Sequence, residues 1–171
     1  ALSPAALGND WLLDFLIRVP FVLSNLLLAL LVYLEVLRFA PRAANLALAL
    51  VAFNPALIFA TAYWGQADAP CALLIAASLV ALVRGRPEWA WAALTAAALV
   101  KPFAYPIAPL MAFETARRFG TRRTLRAAVA SLAVGCIALL PFAQAGRGLD
   151  ALQSLVTQID AMPYISVNAH N

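Results

Sequence analysis

The chain is poor in the residues that soluble catalysts draw on. Of its 171 residues, 12% are charged, 7 are glycine, 2 are cysteine and 1 is histidine. An ordinary soluble domain carries about twice that charge fraction. The few glycines build no phosphate-cradling loop after a strand-like run, which argues against a nucleotide-binding Rossmann domain. Cys71 and Cys136 have no metal-ligand spacing around them and lie in or beside apolar runs. They read as small packed hydrophobes. The first residue is Ala1, and no basic stretch precedes an apolar one, so no signal peptide is in view. The sequence is expected to begin inside a longer product and to stop short of its end.

What remains is apolar. Hydrophobic residues make up 64% of the chain, and its mean hydropathy is +0.85. This composition is that of an integral membrane protein. Six apolar segments follow one another: Phe15 to Leu37, Ala43 to Tyr63, Ala69 to Val83, Trp89 to Val100, Phe103 to Phe113 and Ala127 to Ala145. Leucine and alanine dominate them. Lipid offers no partner to a backbone N–H or C=O, so such segments are expected to be helices. The expected fold is all-α, a polytopic transmembrane bundle. Residues 1–14 form an outer-side loop or helix start, 15–145 the membrane region, and 146–171 an amphipathic helix and loop. In that tail Leu149, Leu152, Leu155, Val156 and Ile159 recur at helical spacing, with Asp150, Gln153 and Thr157 between them. Such a helix lies on the membrane interface or packs on a neighbouring segment.

The cations suggest an orientation. Arg38 and Arg42 separate segments one and two, Arg84 and Arg86 segments three and four, and Arg117, Arg118, Arg122, Arg123 and Arg126 segments five and six. Nine of the twelve cations thus fall in alternate loops, which the positive-inside rule places in the cytoplasm. The opposite side then holds the turn "WGQAD", the turn "VKPFAYP" and the tail after Ala145. Segment four is short. From Arg86 to Lys101 a helix rises about 23 Å, against a hydrocarbon core of about 30 Å. Lys101 is therefore expected to turn below the outer surface, with Pro102, Pro106 and Pro109 keeping the backbone irregular. Irregular backbone at such depth needs protein or a water-filled cavity around it. Asn54-Pro55 breaks segment two in the same manner, or merely kinks it.

Asp68 and Lys101 share the outer side. An ionisable group within the membrane is a functional candidate because it is costly to keep there. The bland alternative is an ion pair between the two. Trp64 and Tyr63 equally suit interfacial aromatics, as do Trp89 and Trp91. Gln66 is harder to assign to that role.

These residues carry a resemblance. "NPALIFATAYWGQADAP", "RGRPEWAWAALTAAALVKPFAYPIAPLMAF" and "PYISVNAHN" resemble, in order and spacing, a prokaryotic family of membrane proteins. That family is related to the mannosyltransferase that adds the second mannose in GPI-anchor synthesis. It belongs to the C-type glycosyltransferase superfamily of polytopic enzymes. The matching pieces are Asn54-Pro55, the turn from Trp64 through Gln66 to Asp68, Lys101-Pro102, and Ser166 to Ala169. The chain departs from the pattern at Phe103, where relatives often have glutamine. Relatives also carry an acidic residue in the first outer loop, commonly the catalytic base, and this sequence is expected to begin after that point, which would leave that base outside it.

The resemblance implies transfer of a sugar, mannose first among candidates, from a polyprenyl-phosphate donor to a glycolipid, glycan or protein acceptor. The site would face outward across a prokaryotic cytoplasmic membrane, and the product would be inverted. The partners expected are thus the lipid-linked donor, the acceptor and the bilayer, with no nucleic acid. Phosphate is already a weak base, so one carboxylate suffices to take the acceptor's proton. Asp68 is the candidate for that role, or else orients the acceptor or holds a metal. Lys101 suits the charge developing on the leaving phosphate. Trp64 suits stacking on a sugar face, and Asn54, Gln66, Tyr105, Asn168 and His170 suit binding the substrates. For His170 the plain reading as a loop residue stands beside this one. No metal site is assigned. A divalent cation is the one cofactor the residues allow, since Asp10 and Asp14 stand one helical turn apart on the side of Asp68; capping and dipole roles at the first helix explain them as well. Two other classes stay open: a transporter or lipid translocator built on the segments broken at Pro55 and Pro102, and a non-catalytic membrane partner of the same fold.

Overall fold

The computed structural model describes residues 10–157, with the backbone alone at 10–14, 152 and 154–157. The fold is all-α, as expected, and no strand occurs among the described residues. The chain divides into two compact units, Ala1–Arg84 and Gly85–Asn171.

The first unit opens with α1, Asp10–Phe39. It starts earlier than the apolar run alone suggests, because helix propensity does not stop where hydropathy falls. A single 3₁₀ turn, Pro41–Ala43, reverses the chain into α2, Ala44–Ala52. Pro55 then breaks the helix. The missing N–H and the clash of its ring with the preceding residue hold Asn54 extended at φ −64°, ψ 115°. The short α3, Pro55–Ile58, runs into a π-helical turn, Phe59–Tyr63. After the Trp64–Ala67 connection comes α4, Asp68–Val83. Helix α1 packs along both α2 and α4. Ala29, Ala44 and Ala69 are buried at these contacts; their small side chains let helices approach closely, as lipid-embedded packing requires. Arg84 at the end of α4 pairs with Glu35 of α1.

The second unit starts with α5, Pro87–Val100, whose proline occupies the first turn, where its lost N–H costs nothing. A 3₁₀ stretch, Pro102–Ile107, leads into α6, Ala108–Gln144, and then α7, Gly148–Thr157. Ala90, Leu94, Ala97 and Ala98 of α5 are buried, as are Met111 and Ala127 of α6. Trp91 Nε1 donates to Thr115 Oγ1 at 3.0 Å, and Thr95 meets Ser131, so polar pairs bridge α5 and α6 within an apolar contact. The fifth expected segment begins in the 3₁₀ stretch and continues into α6, and the sixth lies in α6 up to Gln144. The separation between them is not a long loop but one residue, Gly120, at φ 73° and ψ 172°. That backbone geometry is open essentially to glycine alone. Helix α7 falls on the expected amphipathic tail.

Phe15–Phe39, Pro41–Tyr63 and Pro102–Gln144 are long and apolar enough to cross a membrane, and Asp68–Val83 is a shorter apolar helix. The α5 helix has 14 residues, about 21 Å. The protein is an integral membrane protein.

Candidate functional site

The turn that carries Asp68 is assembled from a broken backbone. Asn54 Oδ1 accepts from Ala56 N at 2.9 Å and Leu57 N at 3.3 Å. It thereby caps α3 and fixes the direction in which the chain restarts. Thr61, buried inside the π-helical turn, returns its hydroxyl to Leu57 O at 2.7 Å. Wider π-type spacing continues into the turn: Trp64 N donates to Phe59 O at 2.9 Å, and Gln66 N to Ala60 O at 2.8 Å. Between these two residues Gly65 adopts φ +68°, the left-handed region where a side chain is strained. The chain can then enter α4 directly at Asp68. The carboxylate thus stands in the first turn of a helix of 16 residues, where the peptide dipoles favour negative charge.

The last carbonyls of the π-helical turn are held from another helix. Arg18 of α1 donates from Nη1 to Ala62 O at 2.6 Å and Tyr63 O at 2.9 Å. Its Cγ would lie 4.0 Å from a Cβ added at Gly65. One side chain therefore serves both places: its guanidinium holds the end of the π-helical turn, and its aliphatic stem passes the glycine that redirects the chain toward Asp68. Sequence reasoning passes over Arg18. A signal was present: it is a cation inside an apolar run, the same argument that singles out Asp68 and Lys101. What the sequence does not carry is its target, two backbone carbonyls more than forty residues away.

Aromatic side chains gather beside this turn. Phe59 stacks on Tyr63 at 4.9 Å between ring centroids and meets Trp64 edge-on at 6.0 Å. Trp64 is 55% exposed, so its indole is available to a flat ligand. Phe53, Pro55, Ile58, Phe59, Ala62 and Tyr63 line an open groove of about 520 Å³. On the other side of Arg18, Phe15, Val19, Val22 and Leu23 line a second apolar groove of about 390 Å³. Gln66 and Asp68 are half-buried.

Asn54, Trp64, Gln66 and Asp68, four of the residues singled out from sequence, all belong to the first unit: Asn54 starts α3, and the other three follow one another beyond the π-helical turn. Lys101 and Tyr105 belong to the second unit. Lys101 ends α5 in extended backbone at φ −147°, ψ 131°, as the Lys-Pro step demands. Its Nζ lies 6.0 Å from the centre of the Phe103 ring, so Phe103 offers an aromatic face to the ammonium. Tyr105 borders a cavity of about 160 Å³ together with Trp91, Thr95 and Ser131. Asn168 and His170 lie outside the described residues, and so do the side chains of Asp10 and Asp14. Among the described residues no three His, Cys, Asp or Glu side chains converge as a metal site.

A carboxylate at a helix start, an exposed indole and a half-buried amide can together bind a sugar and take a proton from an attacking hydroxyl. The model of glycosyltransferase family 87 matches residues 3–168. No curated protein and no solved structure matches the chain. The match spans nearly all of the sequence, and the chain belongs to that family of membrane glycosyltransferases.

Proposed function

For this member of glycosyltransferase family 87, we propose transfer of mannose from a polyprenyl-phosphate donor to an acceptor hydroxyl on the extracytoplasmic side of a prokaryotic cytoplasmic membrane. The acceptor is a glycolipid, a glycan or a protein. The proposal includes kinship with the second mannosyltransferase of GPI-anchor synthesis and with the C-type superfamily. The observation that carries it is the Trp64–Asp68 turn: a carboxylate, an amide and an exposed indole on irregular backbone in a membrane-embedded unit.

In the reaction, the acceptor oxygen attacks the anomeric carbon from the face opposite the phosphate. The new C–O bond forms as the bond to the phosphate oxygen breaks, and the phosphate leaves with the electron pair. Inversion follows from this single displacement. Asp68 takes the proton of the acceptor hydroxyl. Trp64 stacks on the apolar face of a sugar, and Gln66 bonds its hydroxyls. The Oδ1 of Asn54 is taken by its capping role, so its Nδ2 is the atom that serves a sugar. The lipid tail of the donor stays in the bilayer, which explains why such a site belongs in a membrane protein.

The test is transfer by the full-length protein in membranes. Radiolabelled polyprenyl-phosphate mannose is supplied with native lipid extract as acceptor, in parallel with a labelled nucleotide mannose. The reading predicts labelled product from the lipid-linked donor alone, with inverted anomeric configuration. Product from the nucleotide sugar in the absence of any lipid-linked donor would overturn it.

A further inference from the structure

The arginines around Gly120 are of two kinds. Arg123 is fully engaged inside the second unit. It donates to Glu88 at 3.2 and 3.0 Å and to Gly85 O at 3.0 Å, and its guanidinium lies 5.2 Å from the Phe119 ring centre. Arg117 donates to both oxygens of Glu114 at 2.9 and 2.8 Å, and Arg118 pairs with the same carboxylate. Arg122 and Arg126 are exposed, and neither makes a hydrogen bond or salt bridge among the described residues. Glu88 attracts Arg126 at longer range, but its hydrogen bonds go to Arg123.

Arg122 and Arg126 stand four residues apart on the helical stretch that follows Gly120, so they share one face. Like charges at that spacing repel. Both also lie near the start of that stretch, where the peptide dipoles disfavour cations. Among the described residues no acid pairs directly with either charge, although acids pair with their neighbours.

Their level relative to the bilayer is marked independently. Leu125 and Val129, on the same stretch, are 67% and 60% exposed, and an apolar run continues from there. Trp89, one residue from the Glu88 that grips Arg123, is also exposed, as interfacial tryptophans are. The arginine pair thus stands at the start of an exposed apolar stretch, the place where basic residues meet headgroups in membrane proteins.

We propose that Arg122 and Arg126 form a binding surface for the phosphodiester headgroup of an anionic membrane lipid. Charge complementarity selects the lipid: a phosphatidylglycerol headgroup brings negative charge to the pair, and its acyl chains cover the exposed Leu125 and Val129. A zwitterionic phosphatidylcholine cancels its own charge and gains little. This surface is separate from the Trp64–Asp68 turn and does not rest on the proposed reaction.

The experiment is native mass spectrometry of the full-length protein released from detergent, after incubation with equal amounts of phosphatidylglycerol and phosphatidylcholine. Wild type should retain phosphatidylglycerol preferentially. Arg122→Gln with Arg126→Gln should lower that retention by roughly tenfold. Arg117→Gln with Arg118→Gln removes the same charge from engaged arginines and should leave retention within about twofold. Arg122→Lys with Arg126→Lys, a pair that keeps the charge, should hold the preference and guards against misfolding. The proposal fails if wild type shows no preference, or if both glutamine pairs lower retention equally. It also fails if a monodisperse lysine pair loses the preference, or if excess inorganic phosphate displaces the lipid, which would mark a site for free anion.

Discussion

The Trp64–Asp68 turn and the bend at Gly120 both rest on a glycine at positive φ, Gly65 at 68° and Gly120 at 73°, and they are completed in opposite ways. At Gly120 the backbone is helical on either side, and nearby charges pair with each other: Glu114 with Arg117 and Arg118, Glu88 with Arg123. At Gly65 the backbone passes through a capped proline break and a π-helical turn, and a single arginine from α1 holds its carbonyls. Irregular backbone and polar side chains are expensive within a membrane. A fold that needed only to reverse direction has a simpler solution, which it uses at Gly120. The difference sets the first turn apart and is what the proposed site at Asp68 rests on.

The sharpest way to break this comparison is to remove the two arginines that hold the two regions. Arg18→Ala frees the carbonyls of Ala62 and Tyr63 and lets the Asp68 turn shift. A misplacement of about 1 Å costs on the order of 10²-fold in rate, so transfer at saturating donor should fall by about that factor. Arg18→Lys, which lacks the planar guanidinium that donates to both carbonyls, should fall between it and wild type. Arg123→Ala should lower thermal stability and leave the rate of the surviving folded protein within about twofold. Equal losses of transfer from Arg18→Ala and Arg123→Ala would erase the distinction.

The glycines give the next largest effect. A Cβ at either position strains the backbone, at a cost of roughly 1–3 kcal/mol, so Gly65→Ala and Gly120→Ala should both lower the melting temperature in detergent. Only Gly65→Ala should also reduce transfer.

The smallest effect concerns acid. The hydrogen bonds from Arg123 hold the Glu88 carboxyl below its ordinary value of 4.5. A carboxyl lowered on folding stabilises the native state above its unfolded pKa, and that contribution is lost as pH falls through the folded pKa. Melting temperatures between pH 6 and about pH 3 should therefore decline more for wild type than for Glu88→Gln. The difference should be modest, because the pair is partly exposed.

How much of this was legible in the sequence depends on how local each cause is. Pro55 and Pro102 announce their breaks because proline acts on its own residue and the one before it. The apolar runs announce helices because lipid permits little else. The cap formed by Asn54 is equally local, yet it uses the oxygen that sequence alone assigns to a sugar. The π-helical turn and the reach of Arg18 depend on how α1 packs against the end of that turn, which no pattern of spacing encodes. Gly120 is a single residue among arginines, and composition cannot reveal that the whole reversal rests there. Nor can sequence sort the five arginines of that region into engaged ones and those facing outward. Of the candidate residues, Asn54, Trp64, Gln66 and Asp68 belong to the first unit, with the last three on one turn, Lys101 and Tyr105 belong to the second, and Asn168 and His170 lie outside the described residues.

The central claim is that Asp68 does the chemistry of the turn that Arg18 holds. The most direct measurement is the initial rate of mannose transfer from polyprenyl-phosphate mannose by full-length wild type and Asp68→Asn, in membranes with matched protein levels. The account predicts a loss of at least about tenfold for Asp68→Asn, with the melting temperature of the purified protein unchanged. Wild-type turnover by Asp68→Asn would contradict it and move the proton acceptor to another carboxylate.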